Sequence, residues 1–286
     1  LFVGEKDHAL EIPVCSRSKD VIEPMLIPQW FVKCDAMARR SLELVSNGET
    51  NIYPSSYVNT WEYWLTNIHD WCISRQLWWG HRIPAYRIIL NNNGSSGNTV
   101  VNDEWIVARS MEEAHSKVKQ QYDLDQSEYR LEQDEDVLDT WFSSGIYPLA
   151  SFGWPNQTQD LKDFYPLSVM ETGSDILFFW VARMAMLCTY LQNDTKPFKD
   201  IYLHPMVRDA QGRKMSKSLG NVIDPIDVMH GITLKDLQAG VLSNTNISPD
   251  EAKRAIKVME KDFPKGIQEC GADALRFSLI KYTQQG

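Results

Sequence analysis

The chain has 286 residues, 43% of them hydrophobic, and a formal net charge of −9, a composition of an ordinary soluble protein able to bury a substantial core in one to two domains. Its five cysteines (Cys15, Cys34, Cys72, Cys188, Cys270) are odd in number and widely spaced without a Cys-x-x-Cys, which argues for reduced thiols in a cytosolic setting and against a disulfide frame or a zinc site. The most apolar stretch, residues 176–191, carries Arg183 in its middle and is too short and too polar to span a bilayer, so it reads as a buried helix with no membrane partner.

In chain order, the β-prone runs Ile12-Pro13-Val14-Cys15 and Trp30-Phe31-Val32 come first, broken by Pro24 and Pro28. Met37, Leu42, Leu44 and Val45 recur at helical spacing and predict a helix over 35–45; a second is expected over 60–69. Strands are expected over 83–90 and 99–107, flanking a turn-forming loop at 91–98 rich in Asn, Gly and Ser. Residues 111–130 are polar with helical spacing and read as a small inserted subdomain. Short strands over 136–142 and 201–207, with a helix over 175–191 between them, suit an α/β fold with a parallel sheet. Ser248-Pro249-Asp250-Glu251 is a helix start, with Ser as N-cap, Pro at the first helical position and Glu three residues on. Ala252, Ala255, Ile256, Met259 and Phe263 then line one face, and residues 275–280 read as a last helix.

Against this acidic background stands a basic island. Lys214-Met215-Ser216-Lys217-Ser218 is followed at once by Leu219-Gly220-Asn221 and preceded by Arg208-Asp209-Ala210-Gln211-Gly212-Arg213, so residues 207–218 carry four cations against one anion. Two ammonium groups, two hydroxyls and two guanidinium forks in a glycine-flanked loop suit phosphate, since Lys supplies a mobile point charge and Arg a planar fork. The plain alternative is a solvated surface loop.

The order of residues tips the balance. Lys-Met-Ser-Lys-Ser after Asp-x-x-Gly-Arg resembles the mobile ATP loop of class I aminoacyl-tRNA synthetases. Three more segments resemble the valine-specific members in the expected order: residues 71–84 with Trp78-Trp79, residues 136–145 with Thr140-Trp141-Phe142-Ser143-Ser144, and residues 171–180 with Gly173-Ser174-Asp175. The resemblance runs from about Cys15 to the end and implies the second half of a Rossmann-like nucleotide-binding domain, a parallel sheet with helices on both faces plus small inserted and C-terminal helical pieces. It implies a segment returning from an inserted editing domain over 1–40, a catalytic domain over 41–235 with an insertion at about 91–132, and a helical part over 236–286. The class also needs a His-x-Gly-His, which none of the six histidines forms, and the chain starts at Leu1. An interior part of a longer synthetase is therefore expected. The alternatives are an isoleucyl-type enzyme or a noncatalytic tRNA- or nucleotide-binding module.

Such enzymes join an amino acid to the α-phosphate of ATP, so their task is to place the reactants and stabilise growing charge on phosphate oxygens. The resemblance makes Lys214 and Lys217 the catalytic candidates, Lys217 first. Gly173, Asp175, His204, Val207, Met215, Ser216 and Ser218 join them in an ATP site. Asp175 either caps the helix that follows or accepts from ribose hydroxyls. His204 is expected near adenine, and Ser174 stands where the valine enzymes have His. ATP enters as substrate with Mg2+ held mainly by its phosphates, no protein metal site being expected. Trp79, Val137 and Trp141 are candidates for a valine pocket, the alternative being ordinary core. Arg75, Gln76 and Arg82, with His81, are candidates for the acceptor end of tRNA(Val), the alternative being surface salt bridges. The partners implied are ATP, L-valine, tRNA(Val) and the rest of the parent chain, in the cytoplasm, with mitochondria left open.

Overall fold

The structure is a computed structural model that describes residues 11–15, 18, 20–91, 99–209, 211–215, 219–245 and 247–283. These fall into two compact units, Leu1–Val32 with Trp71–Asp139 and Lys33–Asp70 with Thr140–Gly286.

The second unit is built on a three-stranded parallel sheet with Phe198–His204 in the middle, between Asn51–Tyr53 and Leu167–Gly173. Phe198, Ile201 and Leu203 are buried on the central strand, with Ile201 aligned to Ile52 on one side and Met170 on the other. The expected α/β class with a parallel sheet is what forms. One of its strands is different, however. Within the expected strand over 136–142, only Val137–Leu138 is extended, and it belongs to the first unit, where it pairs antiparallel with Ser74–Arg75; Thr140–Ser144 is helical. The sheet strand before the long helix is Leu167–Gly173, an edge strand in which Ser168 and Glu171 are exposed, Thr172 is buried and no apolar run appears. The last strand is also shifted, to Phe198–His204 rather than 201–207.

Helix Asp35–Ser46 buries Ala38, Ser41 and Leu44 at i, i+3 and i+6, and Tyr57–Thr66 buries Trp61 and Leu65. The two are tied where the Trp61 indole N–H donates to the Ser41 carbonyl at 3.3 Å. The expected helix over 175–191 forms in three pieces: a 3-10 turn at Ser174–Ile176, a π turn at Leu177–Ala182 and an α-helix at Arg183–Leu191. By length and composition it is the one helix among the described residues apolar enough to cross a membrane, and residues 181–189 are buried inside the unit. Arg183 reaches that interior by laying its guanidinium over the rings of Phe178 and Phe179, at 5.9 and 5.7 Å.

Further on, Leu234–Ser243 and Pro249–Asp262 enclose a cluster of Leu237, Val241, Ala255 and Met259, with Phe263 against it. The helix start read at Ser248 is in place: its hydroxyl accepts from the Glu251 N–H at 3.3 Å.

In the first unit, Ala85–Leu90 lies between antiparallel Thr99–Val107 and Tyr129–Gln133, over a core of Tyr86, Ile88, Ile106, Ala114, Val118 and Tyr129. In the segment 111–130, read as a small inserted subdomain with helical spacing, the helix Met111–Tyr122 ends where Asp123 turns left-handed with φ 54°, and the third strand begins at Tyr129. Phe31–Val32 pairs antiparallel with Trp71–Cys72, and Val14 forms a bridge with Val21.

Candidate functional site

Because Leu167–Gly173 and Phe198–His204 run in the same direction, their carboxyl ends finish side by side, with His204 aligned to Gly173. In open α/β sheets this edge is where ligands bind. Gly173 has an ordinary φ of −63°, so its glycine is demanded by space rather than by angle: a Cβ there would stand 2.6 Å from Met206 Sδ and 2.9 Å from Asp175 Oδ1. Asp175 follows on the 3-10 turn, and no side-chain cap bond starts that turn or the π turn after it. Its carboxylate instead accepts from Lys214 Nζ at 2.7 Å. His204 faces oxygen with both ring nitrogens, Nδ1 toward the Pro205 carbonyl and Nε2 toward Glu171 Oε1, each at 3.0 Å.

Beyond His204 the chain enters the basic segment. Arg208 and Lys214 pair as an antiparallel bridge around a turn at Gly212, whose φ of +74° favours glycine. Asp209 organises that turn. Its Oδ1 accepts the backbone N–H of Gln211 at 3.1 Å and of Arg213 at 2.7 Å, while its Oδ2 accepts from Arg213 Nε at 2.8 Å and Asn221 Nδ2 at 2.9 Å. The Asn221 amide, with the Arg213 N–H and guanidinium, holds the Asp209 carboxyl down at about 2, against an ordinary 3.8. Gly220 closes the segment at φ +63°, where a Cβ would meet Ile247 Cδ1 at 2.9 Å. Val207 and Met215 belong to this segment too, Val207 exposed and Met215 half-buried. Met215 lines a cavity of about 630 Å³ between the segment and helix Pro249–Asp262, together with Leu219, Met259 and Phe263. Ser216, Lys217 and Ser218, the core of the expected ATP site, lie outside the described residues.

The structure thus gathers Gly173, Asp175, His204 and Lys214 at one edge of one unit. The other candidates lie elsewhere or in other company. Trp79 is 91% exposed and Val137 only 3%, both in the first unit, with Val137 packed under Gly80, where a Cβ would stand 2.9 Å from Val137 Cγ2. Trp141, in the second unit, stacks on Phe179 with ring centroids 6.0 Å apart. Arg75 donates from Nη2 to the buried Asp139 carboxylate at 3.0 Å and from Nη1 to the carbonyls of Cys72 and Ser74. Gln76 donates to Gln29 Oε1 and Asp136 Oδ2, and Arg82 to the carbonyls of Gln133 and Asp134. The residues sequence reasoning gave no role are Asp209, Asn221, Glu171 and Met206. Asp209 alone had a signal, an Asx-turn residue three places before a glycine.

Comparison with known proteins matches residues 9–286 to the family model described as tRNA synthetases class I (I, L, M and V). The whole chain is 52% identical to a valine–tRNA ligase of Rattus norvegicus, of which it covers 22%, and 53% identical to one of Caenorhabditis elegans, of which it covers 27%. It is also 52% identical to a probable mitochondrial valine–tRNA ligase of Dictyostelium discoideum, covering 29% of that protein. The chain therefore spans less than a third of the length of these curated relatives. A match over almost every residue, on a parallel sheet of the α/β class, leaves one assignment: the chain belongs to the class I tRNA synthetases (I, L, M and V).

Proposed function

We propose that the protein carrying this chain activates L-valine with ATP and transfers it to tRNA(Val), and that this chain supplies the ATP-facing edge and part of the amino-acid pocket. The observation that carries the reading is the meeting of Gly173, Asp175, His204 and Lys214 where two parallel strands end. Identity above 50% over the whole chain to valine–tRNA ligases supports the choice of amino acid.

In the first step a valine carboxylate oxygen attacks the α-phosphorus of ATP and the bond to pyrophosphate breaks, so negative charge spreads over the phosphate oxygens. Gly173 lets Met206 and the Asp175 carboxylate close in at the strand end, Asp175 accepts from ribose hydroxyls, and His204 lies toward the base, with Val207 and Met215 flanking it. Lys214 and Lys217 bring ammonium groups to the phosphates, assisted by the Ser216 and Ser218 hydroxyls, and act most strongly as charge builds. The Lys214–Asp175 pair is partly solvent-exposed, so it contributes at most about 1 kcal/mol and gives way readily to phosphate and ribose. Mg2+ fits as a passenger on the phosphates: Asp175 and Glu171, the carboxylates at this edge, already face Lys214 and His204.

In the second step a hydroxyl of the terminal tRNA ribose attacks the valyl carbonyl and AMP leaves. Trp141, stacked on Phe179 in the same unit as this edge, serves the valine side chain as a rigid wall against larger residues. Arg75, Gln76 and Arg82 approach the acceptor end of tRNA with the donors that their bonds within the first unit leave over. Five cysteines outside any disulfide support a reducing compartment, cytoplasm or mitochondrial matrix.

The test is amino-acid-dependent exchange of pyrophosphate into ATP by the full-length protein. Valine is expected to exceed isoleucine by on the order of a hundredfold in kcat/KM, the discrimination a site can draw from about one methylene. Preference for isoleucine would overturn the substrate, and absence of exchange with either would leave a tRNA- or nucleotide-binding module.

A further inference from the structure

Residues 207–218 hold a single acidic side chain, Asp209, and its two oxygens receive donors from both sides of the Lys-Met-Ser-Lys-Ser run. On the entering side these are the N–H groups of Gln211 and Arg213 and the Arg213 guanidinium; on the leaving side it is the Asn221 amide, twelve residues away in sequence. The same Asn221 nitrogen reaches the Lys214 carbonyl at 3.3 Å. Lys214 is consequently held at its backbone by Asn221 and at its ammonium by Asp175. With a side chain only 10% exposed and four donors on two oxygens, the Asp209 carboxylate is well placed to hold a fixed arrangement, because charge-assisted bonds of this kind are about twice as strong as neutral ones.

We propose that Asp209 is a positioning residue for the phosphate-handling segment: it joins the two ends of Lys-Met-Ser-Lys-Ser through Arg213 and Asn221 and so sets where Lys214 stands opposite Asp175. It touches neither ATP nor valine. The inference rests on the function proposed above, and it is distinct from a second account in which Asp209 merely offsets neighbouring positive charge. In that account any carboxylate would serve. In the positioning account the length of the side chain matters, since a glutamate carries its oxygens one methylene further and loses the short bonds to the N–H groups of residues 211 and 213.

The experiment uses the full-length protein with Asp209→Asn, Asp209→Glu, Asn221→Ala and the double variant Asp209→Asn with Asn221→Ala. Valine-dependent exchange is expected to lose 10- to 100-fold in kcat for both Asp209 variants, the scale of a reacting group misplaced by about 1 Å, with KM for valine and the melting temperature nearly unchanged. Because the two residues share the contact between Asn221 Nδ2 and Asp209 Oδ2, the double variant is expected to lose clearly less than the product of the two single losses. Full activity of Asp209→Glu, or multiplied losses in the double variant, would overturn the proposal. A second readout needs no catalysis: without ATP, tryptic cleavage after Arg213 and Lys214 is expected to quicken at least tenfold in Asp209→Asn and Asn221→Ala, relative to other sites in the same chain. Unchanged cleavage would overturn the positioning role even if the wild-type protein exchanged no pyrophosphate, a result that by itself would sink only the proposed function.

Discussion

At the scale of single residues, the candidate site divides into side chains whose type announces their chemistry and side chains whose role is made by a partner far along the chain. Lys214, Gly173 and Asp175 belong to the first kind: an ammonium in a glycine-flanked loop, a residue without a Cβ at a strand end, a carboxylate at a helix start. What the sequence left open was Asp175 as a cap or as a free acceptor, and the geometry decides against the cap by giving the carboxylate to Lys214. Asp209 and Asn221 belong to the second kind, since neither type implies a bond across twelve residues until the chain is folded. That bond has a measurable consequence. The folded Asp209 carboxyl sits at about 2, below its ordinary 3.8, so the stability it contributes is fully present above pH ~4 and is lost as pH falls through about 2. A carbon-13 titration of this carboxyl is expected to remain incomplete at pH 3. Asn221→Ala removes the largest of the bonds that lower it, and should move the midpoint upward toward 3.8; an unmoved midpoint would show that Asn221 does not hold the carboxylate in solution.

At the scale of elements, local chemistry was legible and pairing was not. Helix Pro249–Asp262 could be read from four residues because a cap acts within one turn: Ser248 accepts from Glu251, Pro249 has no N–H to lose, and Asp250 and Glu251 sit at the positive end of the helix dipole. Strand Leu167–Gly173 went unread for the opposite reason. As an edge strand it buries few side chains, and Ser168, Glu171 and Thr172 give it no apolar signature, so only its pairing with Phe198–His204 makes it a strand. Val137–Leu138 misled in the other direction, being apolar and extended but committed to Ser74–Arg75. The cap can be tested directly. Ser248→Ala is expected to cost about 1 kcal/mol, read as faster amide hydrogen exchange in the first turns of Pro249–Asp262 while the sheet strand Phe198–His204 keeps its protection. Equal loosening of both would mean that the helix has no local stability of its own to lose.

At the scale of the whole chain, the backbone passes between the two units after Val32, after Asp70 and after Asp139, so neither unit is a continuous stretch of sequence. Nothing in composition marks these crossings: Val32-Lys33, Asp70-Trp71 and Asp139-Thr140 carry neither Pro nor Gly, and such noncontiguous organisation has to be found from contacts. Each unit nevertheless has an apolar interior of its own. In the first, Ile88 is fully buried among Tyr86, Ile106, Val118 and Tyr129; in the second, Phe198, Ile201 and Leu203 are buried along the central strand. Separate interiors imply that a cavity made in one is felt first by its own unit, because lost packing contacts act over the distance of touching side chains. Ile88→Ala is expected to remove about 2–5 kcal/mol from the first unit, raising hydrogen exchange across Ala85–Leu90, Met111–Tyr122 and Tyr129–Gln133. Phe198–His204 and Arg183–Leu191 should exchange at the wild-type rate at temperatures where the second unit is still folded. A uniform rise in exchange through both units would show instead that they unfold as one cooperative body, and that a core residue of either unit bears on the stability of the edge where Gly173 and His204 lie.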